Sequence, residues 1–571
     1  MALIASSPFA TAKDKTVELC ILETSDVHGS FFPYDFINRT PCKGSLARLS
    51  TYVKRERERF GDNLLLLDNG DILQGQPTVY YYNFIDTAAT HVTAAMMNYL
   101  RYDAGNMGNH DMETGHAVYD RWIRQCNFPI LGANIIDTAS GKPYLPPYSV
   151  FNRDGVKVAV IGLLTPAIPA WLPENLWAGL RFDDIEESAR KWVKTVREKE
   201  NPDVVVAIIH SGRDHSHTTG NWVENASQLV AEHVPGIDIV LFGHDHQFFC
   251  DSVKNADGNE VWMLNPANKA EKVASAHVSL TLRKGKVVKK EISGRLVDIS
   301  ALPVDEDFMA EFKPQYDTVD KFVSQKIGSI SKTISTRNAF FGPSEFIDLT
   351  HSLQLAISGA EVSMAAPLSF DSSIKEGDIL VSDMFKLYKY ENMLYTMRLS
   401  GREIKNYLEM SYDLWTNRMI NADDHLLLLK EVPGNGDDGA RALFQNFSYN
   451  FDSAAGIRYT VDVTKPRGEK INILSMADGS AFDMDKDYSV AVNSYRGNGG
   501  GGLLTEGAGI PADKLNDRII KATDKDLRFY LMEYIKETGA ICPTTLDLWK
   551  FIPEEWTVPA AKRDYKLLFK D

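Results

Sequence analysis

Five short apolar runs limit most strongly what this chain can fold into: Leu19–Leu22, Leu64–Leu67, Val156–Leu164, Val204–Ile209 and Ile237–Phe242. Between them lie amphipathic stretches with helical spacing, such as Gly44–Phe60, Thr87–Leu100 and Glu186–Lys199. Over residues 17 to about 300 this alternation predicts an α/β layered domain. Most of the runs also end in side chains that can hold metal ions.

The first run leads into Thr24-Ser25-Asp26-Val27-His28. Residues two apart near a strand can turn their side chains the same way, so Asp26 and His28 have metal-ligand spacing. After the second run comes Asp68-Asn69-Gly70-Asp71, where a carboxylate can present one oxygen to each of two ions, although Asn-Gly makes a turn unaided. In Gly105-Asn106-Met107-Gly108-Asn109-His110-Asp111-Met112-Glu113, Asn109 offers a carbonyl oxygen or a helix N-cap. His110 can donate a proton. Glu113, one helical turn on, can hold the His110 imidazole in one tautomer, with Asp111 as a competitor for that role. His210 closes the fourth run, with His215 and His217 as additional loop histidines. The last run continues Gly243-His244-Asp245-His246, again with period two and with a glycine that permits close backbone approach. A buried structural pair is the alternative, but an apolar strand exit is an expensive place for two unpaired imidazoles.

Asp26, His28, Asp71, Asn109, His210, His244 and His246 together form an oxygen and nitrogen ligand set without sulfur. Such a set accepts two divalent ions, with manganese, zinc, iron and cobalt all suited to it. One ion would take Asp26, His28 and His246, the other Asn109, His210 and His244, with Asp71 bridging. The five scattered cysteines form no thiolate site or disulfide framework.

The ordered set D-x-H, G-D, G-N-H-D, H and G-H-D-H resembles the calcineurin-like metallophosphoesterase superfamily. That resemblance implies a four-layer αββα sandwich, two β-sheets face to face with helices outside. It further implies in-line attack on phosphorus by water or hydroxide held between two metals, with His110 protonating the leaving oxygen and Glu113 in the orienting position.

A second unit begins after a charged stretch at 304 to 326 that reads as one helix. It has helix patterns at 346 to 359 and Gly401–Trp415, strand patterns at Leu394–Leu399 and Tyr488–Val492, and a loop at 431 to 441. Met364-Ala365-Ala366-Pro367 through Gly377-Asp378-Ile379, Leu387-Tyr388-Lys389-Tyr390-Glu391-Asn392-Met393-Leu394, and Asn493-Ser494-Tyr495-Arg496-Gly497-Asn498-Gly499-Gly500 resemble the C-terminal domain of the 5'-nucleotidase family. This family includes periplasmic 2',3'-cyclic-nucleotide phosphodiesterases with 3'-nucleotidase activity and UDP-sugar hydrolases. The resemblance implies that Tyr390 and Tyr495 sandwich the nucleobase, with Arg496 available for phosphate or ribose. It also departs from the 5'-nucleotidase pattern: Pro367–Lys375 holds no arginine where that pattern has a phosphate-gripping one, which favours the cyclic-phosphodiesterase branch.

The expected organisation is a signal remnant or disordered segment at 1–15, a metallophosphoesterase domain at 16–300, a helical linker at 301–335, an α/β substrate-binding domain at 336–550 and a tail at 551–571. Because base recognition and metals lie on different domains, the second is expected to move relative to the first about the connector. The net charge of −15 disfavours binding to a nucleic acid polymer, but leaves room for a small anionic nucleotide drawn to metals. No apolar run is long enough to span a membrane. Ala10-Thr11-Ala12 before Lys13 reads as a secretory cleavage site, so a periplasmic or secreted enzyme is expected. The rival readings are a 5'-nucleotidase or UDP-sugar hydrolase, a broader phosphomonoesterase or sulfur-ester hydrolase, and a surface binding protein with a vestigial metal site. Oligomeric state is not legible.

Overall fold

In the first strand, β1 (Lys15–Thr24), Val17, Leu19 and Ile21 fall on one face and bury into an inter-sheet core, while Cys20 and Leu22 bury on the other. A strand buried on both faces belongs in the middle of a layered α/β structure. The computed structural model describes residues 14–215, 218–219, 222–432 and 441–569. The proposed cleavage site and His217 lie outside these residues, as does most of the 431 to 441 loop.

Two compact units divide between Val319 and Asp320, with residues 169–173 grouping with the second. The first unit continues through β2 (Leu64–Asp68), β3 (Ala104–Asn106), β4 (Ile130–Leu131), β5 (Tyr148–Arg153), β6 (Val156–Leu164), β7 (Val204–His210), β8 (Ile239–Phe242), β9 (Phe248–Lys254), β10 (Glu260–Pro266), β11 (Lys272–Arg283) and β12 (Lys286–Asp298). One six-stranded sheet has the order β12-β11-β1-β2-β3-β4 and the other β9-β10-β8-β7-β6-β5. β1, β2, β3 and β4 run parallel in the first sheet, as do β6, β7, β8 and β10 in the second.

Alternate residues of the two sheets, among them Val158, Val160, Val206, Ile208 and Leu241 opposite Leu19, Ile21 and Leu65, form the core between them. The other face of the second sheet, with Ile161, Leu163, Ala207 and Phe242, packs on α4 (Ile185–Lys199) and α5 (Ser227–His233). Against the first sheet lies α1 (Leu46–Phe60); α2 (Val92–Leu100) brings Met97 up to Gly105 of β3, and α3 (His116–Gln125) packs on α2. Helix α1 begins where the Ser45 side chain accepts from Arg48 N and ends at Gly61, with Arg57 and Arg59 complementing its C-terminal dipole. Helix α2 starts at Val92 rather than Thr87, because the His91 ring accepts from Thr93 N as its cap. These layers are the expected αββα sandwich.

The expected linker needs correction. Residues 304 to 326 are not one helix but α6 (Glu306–Glu311) and α7 (Lys313–Val323), broken at Phe312. Phe308 and Phe312 are buried and pack edge-on against Tyr99 at 5.7 and 5.5 Å, which fixes α6 and the break after it to the first unit. Lys326–Ile330, assigned to the linker, is a strand of the second unit.

That unit is built on a five-stranded sheet. Its order is Ser453–Ala455, Val362–Ala365, Asp487–Asn493, Met393–Ser400 and Ile519–Asp526. The helix Gly401–Trp415 packs on it through Ile404, Leu408 and Trp415, opened by a capping box in which Ser400 and Glu403 exchange side-chain to backbone bonds. The expected tail is also corrected: Trp549–Ile552 is a strand parallel to Ile457–Asp462, followed by a helix over Glu554–Leu568. Within that helix Asp564 is fully buried and accepts from Leu426 N, Leu427 N and His425 Nδ1.

Candidate active site

The seven candidate ligands sit just beyond the carboxyl ends of β1, β2, β3, β7 and β8, the parallel strands at the centre of both sheets. In open α/β sheets this is where binding crevices form. The local backbone differs from the strand alternation that the spacing predicts. Asp26, His28, Asp71, His244 and His246 all have positive φ, between 48° and 74°. Their side chains therefore converge through single left-handed residues past the strand ends, not through pleating. Aspartate and histidine enter this region more readily than most residues, but each such position still stores strain.

A backbone zipper holds that strain in place. Asp26 N donates to Gly70 O (3.0 Å), His28 N to Asp71 O (2.9 Å) and Asn69 N to Thr24 O (2.8 Å). His244 N donates to Asp26 Oδ2 (3.0 Å), tying the second sheet to the first. Gly243 has no substitute here, since a Cβ would stand 1.9 Å from Ser25 Oγ.

Two groups result. Asp26, His28 and His246 form one, and Asp71, His210 and His244 the other, each with its ligand atoms within 4.8 Å of one another. In the first, His246 Nε2 is 3.1 Å from Asp26 Oδ1 and 3.1 Å from His28 Nε2. In the second, His210 Nε2 is 3.2 Å from Asp71 Oδ2 and 3.1 Å from Asn109 Oδ1, and His244 Nδ1 is 2.8 Å from Asn109 Oδ1. Asp26 Oδ1 lies 4.0 Å from His210 Nε2, so the two groups adjoin.

The outward nitrogens decide whether cations suit this site. His28 Nδ1 faces two acceptors, Gln74 O (3.2 Å) and Gln74 Oε1 (3.1 Å), and His210 Nδ1 faces Asn69 O at 2.6 Å. His244 Nε2 faces Glu224 Oε1 at 3.0 Å. Those nitrogens carry the protons, so His28 Nε2, His210 Nε2 and His244 Nδ1 turn lone pairs inward. They meet Asp71 Oδ2, Asn109 Oδ1 and the buried Asp26 Oδ1. Acceptors crowded this closely fit divalent ions.

The electrostatics show a site that draws positive charge inward. Burial alone would raise Asp26, but His210 and His246 hold its carboxyl well below the usual range. Asp71 is likewise depressed, burial being outweighed by His210 and His110. Burial would lower His210, yet Asp71 and Asp26 push it up to about 10, so a proton and a cation compete for its Nε2. His28 goes the other way, down to about 3, through burial and the neighbouring His246.

His110 stands beside this centre, its ring 5.5 Å from that of His28. Its backbone N donates to Asp71 Oδ1 (2.8 Å), and its Nδ1 is 2.5 Å from Glu113 Oε2. Asp111, the competing orienter, is committed elsewhere: its carboxylate accepts from the backbone N of Asp71, Ile72, Leu73 and Gly108. His215 lies exposed in a turn. Glu224 is the residue that motif reading misses, because the strand it follows, Trp222–Val223, is only two residues long and leaves no apolar run in the sequence.

In the second unit, Leu394 pairs with Asn493 across antiparallel strands, which sets the loops carrying Tyr390 and Tyr495 at the same end of neighbouring strands. Both tyrosines are half-buried. Gly500 lies on the Tyr495 ring, where a Cβ would come within 2.5 Å of Cε2. Arg496 does not serve as the expected phosphate or ribose contact. It is 2% exposed, and its five N–H groups go to Asp452 (twice), Asn450, Tyr449 O and Gly500 O. It braces the loops around Tyr495 instead.

Residues 20–248 match the calcineurin-like phosphoesterase model and residues 326–506 the 5'-nucleotidase C-terminal domain model. The chain is a two-domain metallophosphoesterase. It is 28% identical to the trifunctional nucleotide phosphoesterase protein YfkN of Bacillus subtilis over 98% of its own length and 40% of that protein's. It is also 28% identical to the 2',3'-cyclic-nucleotide 2'-phosphodiesterase/3'-nucleotidase of Salmonella typhimurium, over 96% of this chain and 91% of that one. A Staphylococcus aureus structure in complex with alpha-ketoglutarate shares the metallophosphoesterase's fold, with a TM-score of 0.76 at 22% identity, covering 94% of this chain and 99% of that one. Among the described residues, no helix of the metallophosphoesterase is long and apolar enough to cross a membrane.

Proposed function

We propose that this metallophosphoesterase hydrolyses small nucleotide phosphate esters, 2',3'-cyclic nucleotides and 3'- or 5'-mononucleotides, to nucleoside and phosphate. The observation that carries the reading is the convergence of imidazole lone pairs and carboxylate oxygens in two adjoining groups beside the His110–Glu113 pair. Two divalent cations, of manganese, zinc, iron or cobalt, would be held by Asp26, His28 and His246 and by Asn109, His210 and His244, with Asp71 between them. Such ions activate water and neutralise charge on the phosphoryl oxygens when bound. His110 is the proton donor to the leaving oxygen, and Glu113 keeps its Nδ1 protonated and stabilises the imidazolium. Buried Asp111 keeps the Asp71 loop in shape through its four backbone bonds.

Tyr390 and Tyr495 are the stacking pair for the base, a contact that tolerates any base because each has a π-face. The names of the relatives support nucleotides as the substrate class, and Pro367–Lys375, without arginine, supports the cyclic and 3' compounds over 5'-monophosphates. Arg337, which reaches this segment, forms a bidentate pair with Asp371 at 2.8 and 2.9 Å. The proposed setting is the periplasm or the cell exterior.

The test is phosphate release from 2',3'-cAMP, 3'-AMP, 5'-AMP and UDP-glucose, with Mn²⁺ and with EDTA. EDTA-sensitive turnover led by the cyclic and 3' compounds is expected. Turnover led by 5'-AMP moves the assignment to the 5'-nucleotidase branch, and silence across the panel overturns the enzyme reading. Tyr390→Ala should raise KM for nucleotides by roughly 5- to 150-fold, the worth of one stacking contact, and leave p-nitrophenyl phosphate unaffected.

A further inference from the structure

The two groups of ligands are not equally supported from behind. His210 and His244 are each held by an acceptor, a backbone carbonyl and the Glu224 carboxylate. Glu224 is itself fastened: its Oε2 accepts from Thr219 Oγ1, and its carbonyl accepts from Ser211 Oγ at 2.6 Å, next to His210 in sequence. The contact is sheltered, with side-chain exposures of 12% for His244 and 19% for Glu224. In the other group His28 has, among the described residues, only the neutral Gln74 behind it. His246 is 38% exposed, and its Nδ1 faces the Asn268 amide Nδ2 at 2.9 Å, a donor.

We propose that Glu224 is a positioning residue that fixes Nδ1 of His244 as the ligand atom and makes the Asp71–Asn109–His210–His244 position the tighter of two unequal cation positions. A carboxylate behind a ligating imidazole sets its tautomer, increases its basicity and adds negative charge near the ion. Among the described residues, no carboxylate stands behind His246 or His28, and their position is the exchangeable one. The inference rests on the two-cation reading above and adds an order of filling to it.

The experiment is calorimetric titration of the metal-free full-length protein with Mn²⁺ alone. Two binding steps of different affinity are expected. Glu224→Gln, which preserves shape and removes the charge, should weaken the tighter step by roughly 10- to 100-fold and leave the weaker one in place. His246→Ala should remove the weaker step only, and Glu224→Gln in that background should then weaken the single remaining step. Melting temperatures in EDTA, expected to match wild type for both variants, separate a binding effect from misfolding. If Glu224→Gln leaves both steps unchanged, or weakens the step that His246→Ala removes, the inference is overturned. If wild type binds no Mn²⁺ at all, the two-cation reading itself fails, a different outcome from equal affinities at two intact positions.

Discussion

At the scale of single residues, function divides between groups that touch substrate or metal and groups that hold them. His110→Asn should lower kcat by about 10²- to 10⁴-fold, the usual worth of a positioned proton donor, with Mn²⁺ uptake unchanged. Glu113→Gln should give a smaller loss, because the His110–Glu113 contact at 2.5 Å is kept as a hydrogen bond but loses its charge. Steady-state kinetics with parallel metal analysis checks both; a loss of metal in either variant would move His110 or Glu113 into the metal-holding group. Residue types made the ligands legible in the sequence, since Asp, Asn and His at strand exits have few other reasons to recur. The left-handed backbone at Asp26 and His244 was not legible, because it depends on loops far apart in the chain closing on each other. Arg496 was misread for a related reason: nothing in Tyr-Arg-Gly-Asn tells whether the guanidinium turns outward or into Asp452.

At the scale of elements, the helix over Glu345–Ser358 gives a pH test. His351 on that helix is 1% exposed and lies between Ser363 Oγ and Ser453 Oγ, each at 3.0 Å, on two strands of the five-stranded sheet. Burial pushes it down to about 3, against about 6.5 in an unfolded chain. The unfolded chain therefore binds a proton that the folded one refuses. The stability tied to this group is fully present above about pH 6.5 and falls as pH drops toward 3, by up to about 1.4 kcal/mol per pH unit. His351→Gln should flatten the acid limb of a melting-temperature series, and an unchanged slope would contradict this account. The final helix, Glu554–Leu568, escaped sequence reading because it is rich in charge and carries Pro559 in its interior, a residue that normally ends helices. Its buried Asp564 makes a further point testable: truncation after Pro553 should leave Leu426 N and Leu427 N without their acceptor and prevent stable folding of the second unit, as judged by limited proteolysis. The long strands and the helix Gly401–Trp415 were readable because period and capping agree there with the fold.

At the scale of the whole molecule there are two compact units, with the candidate metal ligands confined to one. Ligand binding stabilises only the folded unit that holds it, by RT ln(1 + [L]/Kd), or about 4 kcal/mol at a thousandfold excess over Kd. Calorimetry should accordingly show Mn²⁺ raising, and EDTA lowering, the transition of the first unit while the second stays put; a joint shift of all transitions would contradict independent cores. His28 and His246, which meet at 3.1 Å, are 218 positions apart. Neither group of ligands exists before His244 has been made, because each draws on both sheets and on turns that close only when the sheets pack. Loading therefore waits for the two sheets to pack, and if that happens away from where the chain was synthesised, the ions would come from the destination. Where the sheets pack would then help to select the metal, beside the ligands themselves.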